Sequence, residues 1–298
     1  MKAPDRVVLS SDFSPKFLNF AFIAGYFWKK HFGVRPDLAL VVEDIGLFNL
    51  DHVLQILSPH CSVHVLEAHP NYPVENQAKI ARWFLASTLD STLTTLSDLN
   101  KVYLRNTFLL SKLGECKPNT LLAIGAEPSD TSGTEGALPI QGLSGDRQTF
   151  SNLFSAVDSS GTFSKFVEHF DSPEFFGDST NLESPISQFS DENLLKRYAT
   201  ITKTTSLFNR TSSDGDAYTQ CLDRSSWPSD ADIRRNAGLI DRVNFPIPFL
   251  ENRHKIISAL EIVDPDFKFN QLPLPFSLRE WRIRHVVGKF SQKLGIAR

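Results

Sequence analysis

Short apolar runs alternate with longer amphipathic stretches in the first hundred residues. Val7-Val8-Leu9 and Leu38-Ala39-Leu40-Val41-Val42 are too short for helices and read as two buried strands, and Ser62-Val63-His64-Val65-Leu66 as a third strand. Between the first two, Phe17, Ala21, Ala24 and Trp28 recur three and four apart. That spacing predicts a helix with Ser14 as N-cap, Pro15 at its first position and Gly33 as its stop. Ser10-Ser11-Asp12-Phe13 reads as the polar turn between strand and helix. His52 to Leu57 suggests a short second helix. This β-α-β-α-β order predicts a mainly parallel sheet with helices on both faces.

After the break at Asn71-Tyr72-Pro73, a helix is predicted from Asn76 to about Leu89. Ile80, Phe84 and Thr88 form one stripe, with Ala81, Leu85 and Leu89 beside it. Lys79 and Arg82 lie three apart and share a face. They are either two solvated charges or a cationic pair aimed at a phosphate. The stretch Leu93-Thr94-Thr95-Leu96-Ser97-Asp98-Leu99-Asn100 reads as a buried strand ending on a polar tip. An extended backbone would put Asp98 and Asn100 on one side. Two such oxygen donors can hold a hard divalent cation, and through it a diphosphate. Taken alone, Ser97-Asp98-Leu99-Asn100 better suits a turn that opens a loop.

Leu121-Leu122-Ala123-Ile124 is a further buried strand, and residues 125–150 read as a long polar loop. Phe150–Phe154, Phe163–Phe170 and Asn193–Tyr198 look like short helices, the last capped by Ser190 with Asp191 and Glu192 in its first turn. Residues 209–236 look irregular, Gly238–Val243 a short strand, and Asn252–Ile262 a helix. Ser277-Leu278-Arg279-Glu280 is a capping box opening a last helix that Gly295 ends. That helix is basic and amphipathic, with Trp281, Val287 and Phe290 opposite its charges. It either packs on the body, the favoured reading, or makes peripheral contact with an anionic membrane surface.

Composition narrows the function. The 298 residues have a formal net charge of -3, which gives no global field for nucleic acid. Cys61, Cys116 and Cys221 are far apart, form no CxxC pair, and suit a reducing compartment. The opening residues lead straight into a strand, and no run approaches the roughly 18 apolar residues of a membrane span. The expectation is a soluble, cytoplasmic protein. No P-loop, GxSxG, HExxH or GxGxxG occurs.

The order of the pieces resembles a family of nucleotide-sugar glycosyltransferases with the GT-A fold, found in bacteria and large viruses. Ser10-Ser11-Asp12, Leu18-Asn19-Phe20, Trp28-Lys29-Lys30 and Phe32-Gly33-Val34-Arg35-Pro36 resemble its opening strand and helix. Gln77-Ala78-Lys79-Ile80-Ala81-Arg82 resembles its Gln-x-Lys-x-x-Arg helix, and Ser97-Asp98-Leu99-Asn100 falls where it carries Ser-Asp-x-Asp. Asp191-Glu192-x-x-Leu195 resembles its Asp-Glu-x-x-Leu. Leu222-Asp223-Arg224-Ser225-Ser226-Trp227 and Ile240-Asp241-Arg242 resemble its two late motifs, Ile-Asp-Arg-x-x-Trp and Ile-Asp-x-His. The matches run from Val7 to about Leu260.

The resemblance implies an α/β fold with a mainly parallel central sheet, helices on both faces and a C-terminal helical extension. It divides the chain into a nucleotide-sugar-binding half (1–125), an acceptor-binding and catalytic half (126–262) and the basic extension (263–298). Ser10, Ser11 and Asp12 would line the nucleotide pocket, and Lys79, Arg82, Ser97, Asp98 and Asn100 would face the donor, a UDP-sugar by expectation. Asp191 would be the general base at the acceptor hydroxyl. Glu192, Asp241 and Arg242 would serve the acceptor or neutralise phosphate. The acceptor would be a glycan, a lipid or a protein. Two departures matter: Asn100 stands for the second Asp, and Asp241-Arg242-Val243 carries no His. Mn2+ or Mg2+ at Asp98 and Asn100 is therefore expected to be weakly needed or not needed, with Arg242, Lys79 or Arg82 sharing the neutralisation of the diphosphate. A non-catalytic sugar-nucleotide-binding protein on the same fold is the alternative. A nucleotidyltransferase is weaker still, because no Gly-rich, basic phosphate loop opens the chain.

Overall fold

The computed structural model describes residues 3–43, 50–114, 116, 118, 120–126, 142–153, 161–170, 206–209, 220–269 and 274–277. The expected sites Asp191 and Glu192, the helix at 193–198 and the basic helix after Ser277 lie outside them.

Strands β1 (Arg6–Asp12), β2 (Asp37–Val42) and β3 (Ser62–Glu67) pair in parallel, in the order β3-β2-β1. The sheet continues on the other side of β1 through β4 (Thr94–Leu96), β7 (Gly142–Gly145), β6 (Leu122–Ala126) and β8 (Ser206–Asn209). β4 is parallel to β1, and β7 runs antiparallel between β4 and β6. The mainly parallel α/β architecture expected from the early strands is the observed one.

Alternation along the strands builds two cores. Val7 and Leu9 on β1, with Leu38 and Leu40 on β2, pack against helix α1 (Ala21–Phe32) through Phe22, Ile23 and Phe27. Val8, Ala39, Val41 and Leu96 face the other way. They pack against α3 (Val74–Thr88) through Ile80, Ala81 and Trp83. Both faces of β2 are thus covered, and all six of its residues are buried. Helix α2 (Leu50–Leu57) leads into β3, and α4 (Thr107–Leu113) follows strand Lys101–Tyr103. Helices α5 (Arg147–Leu153) and α6 (Phe163–Phe170) stack on α3, joined by Trp83–Phe150 and Phe84–Phe166 ring contacts.

A second sheet has the order β5 (Lys101–Tyr103), β10 (Ile240–Asn244), β9 (Gln220–Asp223). Its cross-strand row Val102, Val243 and Leu222 joins the α1-side core. The last long helix, Phe249–Val263, closes that core by setting Phe249 against Phe20 and Phe22.

Several boundaries differ from the sequence reading. Ser10-Ser11-Asp12 is strand rather than turn, because β2 offers backbone partners as far as Asp12 opposite Val41. The first helix starts at Ala21, after a turn and a 3-10 segment at Leu18–Phe20, although the Ser14 hydroxyl accepts a hydrogen bond from the Lys16 N–H as a cap would. Its end is as expected: Gly33 sits at φ 72°, and its N–H reaches back to Lys29 O. β7 falls inside the stretch read as loop, and β9 and the Asp230–Asn236 helix inside the stretch read as irregular. Among the described residues, no helix is long and apolar enough to cross a membrane.

Candidate functional site

The strand order reverses beside β1. The chain lays β2 and β3 to one side, then returns to place β4 on the other. The carboxyl ends of β1 and β4 therefore flank a switch point, where open α/β sheets form their ligand crevice. Ser97 N–H donates to Val8 O at 3.1 Å, which holds the end of β4 against β1 and puts Asp98 at that edge.

From Asp98 the backbone turns rather than extending. Lys101 N–H donates to Asp98 O at 3.2 Å and closes a four-residue turn between β4 and β5. Asp98 and Asn100 consequently part company, contrary to the shared side that a strand would give them. Asp98 Oδ1 accepts from Arg82 Nη1 at 2.5 Å, and Oδ2 pairs with Lys101 Nζ at 2.6 Å. Asn100 is buried and donates through Nδ2 to Asn244 Oδ1 at 3.0 Å and to Phe245 O at 3.2 Å. Asn244 in turn donates to Asp223 Oδ2 at 3.1 Å. The residue brought against Asn100 is thus Asn244, just beyond the Asp241-Arg242-Val243 triplet where the resemblance looks for an imidazole.

The charges follow from these contacts. Burial works to raise the Asp98 carboxyl, but Arg82 and then Lys101 outweigh it and hold it well below the usual carboxylate range. Asp98 is therefore a fixed anion between two cations. At the end of β1, burial and then the Glu75 charge push Asp12 up to about 6, against the pull of its own backbone and Lys16. Ser11 is buried, with its hydroxyl donating to Asp12 O at 2.8 Å. Ser10 lies on the opposite face of β1, the face that α3 covers and from which Arg82 reaches Asp98.

Lys79 and Arg82 have different surroundings. Arg82 is buried in its ion pair, while Lys79 is exposed and donates to Asn76 Oδ1 at 3.2 Å. Other residues that carried the resemblance have structural work. Gln77 spans the loop after β3, accepting from His69 N–H and donating to His69 O and Tyr72 O. Asn19 makes a two-way hydrogen bond with the Phe276 backbone. Asp223 caps the 3-10 turn Arg224–Ser226 through Ser225 N–H at 2.8 Å.

Asp241 sits where the β10–β9 register shifts, and neither of its buried carboxylate oxygens has a hydrogen-bond partner. Burial raises its pKa, with the Arg242 and Arg105 charges pulling against it. Arg242 lies opposite Tyr103 and Cys221 in register. A cavity of about 270 Å3 lies along β9, lined by Cys221, Leu222, Ser226, Pro228, Asp232, Asn236 and Ile240. None of the sequence-predicted site residues among the described residues lines it.

A divalent cation fits the residues at the turn poorly. Mg2+ requires several oxygens about 2.0–2.1 Å away in near-octahedral geometry. Here both Asp98 oxygens already face cationic nitrogens, and the Asn100 side chain is buried against Asn244 and Phe245. Among the described residues, no group of three or more His, Cys, Asp or Glu converges to hold a metal. Lys101, Asn244 and the ion triad went unnoticed in the sequence. The Asp98-x-x-Lys101 spacing of a polar turn was the available signal for the first.

No protein-family model matches the chain, and no curated protein matches it by sequence. Solved structures do resemble it. The glycosyltransferase GlyE of Streptococcus pneumoniae TIGR4 is 13% identical in its apo form, with a TM-score of 0.40 over 94% of this chain. That alignment takes in 56% of GlyE, so this chain spans little more than half of that protein. The galactosyltransferase LgtC, solved with donor and acceptor sugar analogs, is 10% identical with a TM-score of 0.50. The match covers 93% of this chain and 99% of LgtC. The chain has the α/β fold of a GT-A glycosyltransferase such as LgtC.

Proposed function

We propose that this protein transfers a sugar from a nucleotide diphosphate sugar, a UDP-sugar by preference, to a glycan, lipid or protein acceptor. The observation that carries the reading is the position of the Arg82–Asp98–Lys101 cluster at the β1/β4 switch point. The cluster sets two cationic side chains, Arg82 and Lys101, at the sheet edge where a diphosphate would bind. The shared fold supports the choice of chemistry as an analogy. In this reading Ser10, Ser11 and Asp12 line the base and ribose side, and Arg82, with Lys79 at the rim, faces the phosphates. Asp241 and Arg242 serve the acceptor side, and Asp191 takes the acceptor proton. Metal dependence is weak or absent, since the donor set at Asp98 suits a phosphate-binding cation pair better than a metal. Residues 1–125 carry the donor half and 126–262 the acceptor half. The three free cysteines suit a cytoplasmic setting, and the basic segment after Ser277 suits peripheral contact with an anionic membrane.

The test is incubation with a panel of UDP-, GDP- and dTDP-sugars while free nucleotide is measured. Slow release from one donor class is expected, and Arg82→Ala should abolish it. Binding of a sugar nucleotide with no release over days would favour the second reading, a non-catalytic binding module. Burial of Asn100 in structural hydrogen bonds, where the resemblance carries a second carboxylate, is what keeps that reading alive.

A further inference from the structure

We propose that β3 joins two copies of this chain: the open edge of the seven-stranded sheet pairs antiparallel with the same edge of a second copy, about a two-fold axis at Val65. One sheet then runs through both copies. The proposal stands apart from the sugar-transfer reading. It rests on the backbone groups that β3 leaves open and on two charges placed at its ends.

β3 ends the strand order, and among the described residues no strand lies beyond it. Two backbone bonds show which of its groups face inward. Ser62 N–H donates to Pro36 O and Ala68 N–H to Val42 O, each at 2.8 Å. Successive residues of a strand turn their N–H and C=O to opposite sides, so Ser62, His64, Leu66 and Ala68 face β2. Val63, Val65 and Glu67 turn theirs outward, and among the described residues nothing bonds to them. Helices cover the faces of β3. Val63 and Val65 pack on the core that holds α2, and Leu66 on the core that holds α6. All six residues of β2 are buried, whereas the first five of β3 are half-buried and Glu67 is exposed. An unpaired edge is a template for another strand, and proteins blunt it with proline, lysine or a bulge. β3 has no proline, no lysine and no bulge in its register with β2.

The edge is complementary to itself. With Val65 on the axis, Val65 faces the partner's Val65, and Val63 faces the partner's Glu67 on either side of it. Each facing pair exchanges two hydrogen bonds, so every outward group of β3 finds a partner. No like charges stand directly opposite each other, which would oppose the pairing. The ends fit by charge. Glu67 is exposed at the carboxyl end of β3. Arg35 is exposed at the amino end, held there by hydrogen bonds from Nη2 to Ser58 O and to Cys61 O. Among the described residues, neither Glu67 nor Arg35 makes an ion pair. Cys61 lies two residues before Val63, the residue that faces the partner's Glu67. Diagonal neighbours in an antiparallel pair are about 7–8 Å apart, within reach of long side chains. The pairing therefore brings Arg35 to the partner's Glu67, and symmetry does so twice. A second copy carries both charges in the order that this edge requires.

Sedimentation of the full chain over a concentration series tests the pairing, with hydrogen exchange of β3 measured at both ends of the series. Wild type is expected to pass from monomer to dimer, and the Val63, Val65 and Glu67 amides to exchange more slowly as it does. Val65→Pro removes an outward N–H that β2 does not use, and should weaken dimerisation roughly tenfold or more. Glu67→Arg and Arg35→Glu should each weaken it roughly tenfold, because either reversal sets two like-charged pairs in the dimer. An equal mixture of the two reversal variants should dimerise as wild type does, since each mixed pair has opposite charges at both ends. Thermal melts accompany every variant; should Val65→Pro not fold, the mixture decides, and a mixture no better than either variant alone overturns the pairing. A monomer whose β3 amides are protected at every concentration would mean that a segment of its own chain covers the edge, and would overturn it. A monomer with those amides open throughout would do the same. So would a dimer indifferent to all three substitutions, which would use another surface.

Discussion

Asp12 offers a charge that the fold holds at a cost, and removing it should stabilise the protein in one direction of pH only. It ends β1, partly covered, with Glu75 of the first turn of α3 close by. Burial first, and the Glu75 charge second, raise its pKa from 3.8 to about 6. A carboxyl that binds its proton more tightly when folded favours the folded state below the unfolded value. That advantage is lost as pH rises through the folded value. A rise of that size corresponds to at most about 3 kcal/mol above pH 6, and solvent around a partly exposed carboxyl reduces this to about 1–2 kcal/mol. Asp12→Asn keeps the shape and removes the charge. Urea unfolding at pH 8 should therefore show the variant more stable than wild type by about 1–2 kcal/mol. The gap should largely close by pH 4, where the folded carboxyl is neutral, and vanish below the unfolded value of 3.8. A gap equal at pH 4 and pH 8 would mean that hydrogen bonding or packing sets it. A variant less stable at pH 8 would refute the electrostatic account altogether.

Other expectations follow from single contacts. Arg82→Met leaves Asp98 with one fewer cation and should cost about 2–3 kcal/mol in urea unfolding. The Asp98 carboxyl resonance of that variant should titrate at higher pH than in wild type. Asp98 has a lowered folded pKa, so its contribution is present above the unfolded value of 3.8 and lost as pH falls toward the folded value. Wild type should therefore lose more stability than Arg82→Met on acidification below pH 4, and equal acid sensitivity would contradict the ion pair. Asn244→Ala removes the link from Asn100 to Asp223 and should cost about 1–2 kcal/mol by the same method. Gly25→Ala would bring a Cβ to 2.6 Å from His60 O, and should lower stability by about 1–3 kcal/mol because a backbone atom must shift. An unaltered unfolding midpoint would show that α1 does not approach so closely.

The sequence alone determined the architecture of the first ninety residues. β1, β2 and β3 are short apolar runs, α1 and α3 carry stripes three and four apart, and Gly33 ends α1 in the left-handed conformation that glycine tolerates. Those signals are local, and each is repeated over several residues, so they survive without knowledge of the neighbours. β7 carried no such signal. Gly142-Leu143-Ser144-Gly145 has one large apolar side chain and becomes a strand because β4 and β6 present their edges to it. The same holds for the last residues of β1, which extend because β2 does.

At the site the division is the same. Sequence brought out Asp98, Arg82 and Lys79, since charged residues at the end of an apolar run and on one helix are visible in one dimension. Tertiary structure alone decided which of them meet. A single backbone hydrogen bond from Lys101 to Asp98 turns the chain, sends Asn100 to a partner 144 residues away, and swings Lys101 onto the carboxylate. Periodicity specifies which face a residue occupies within its own element. Contacts between elements depend on register and turn geometry, which are settled only when distant strands pair and helices pack to exclude water.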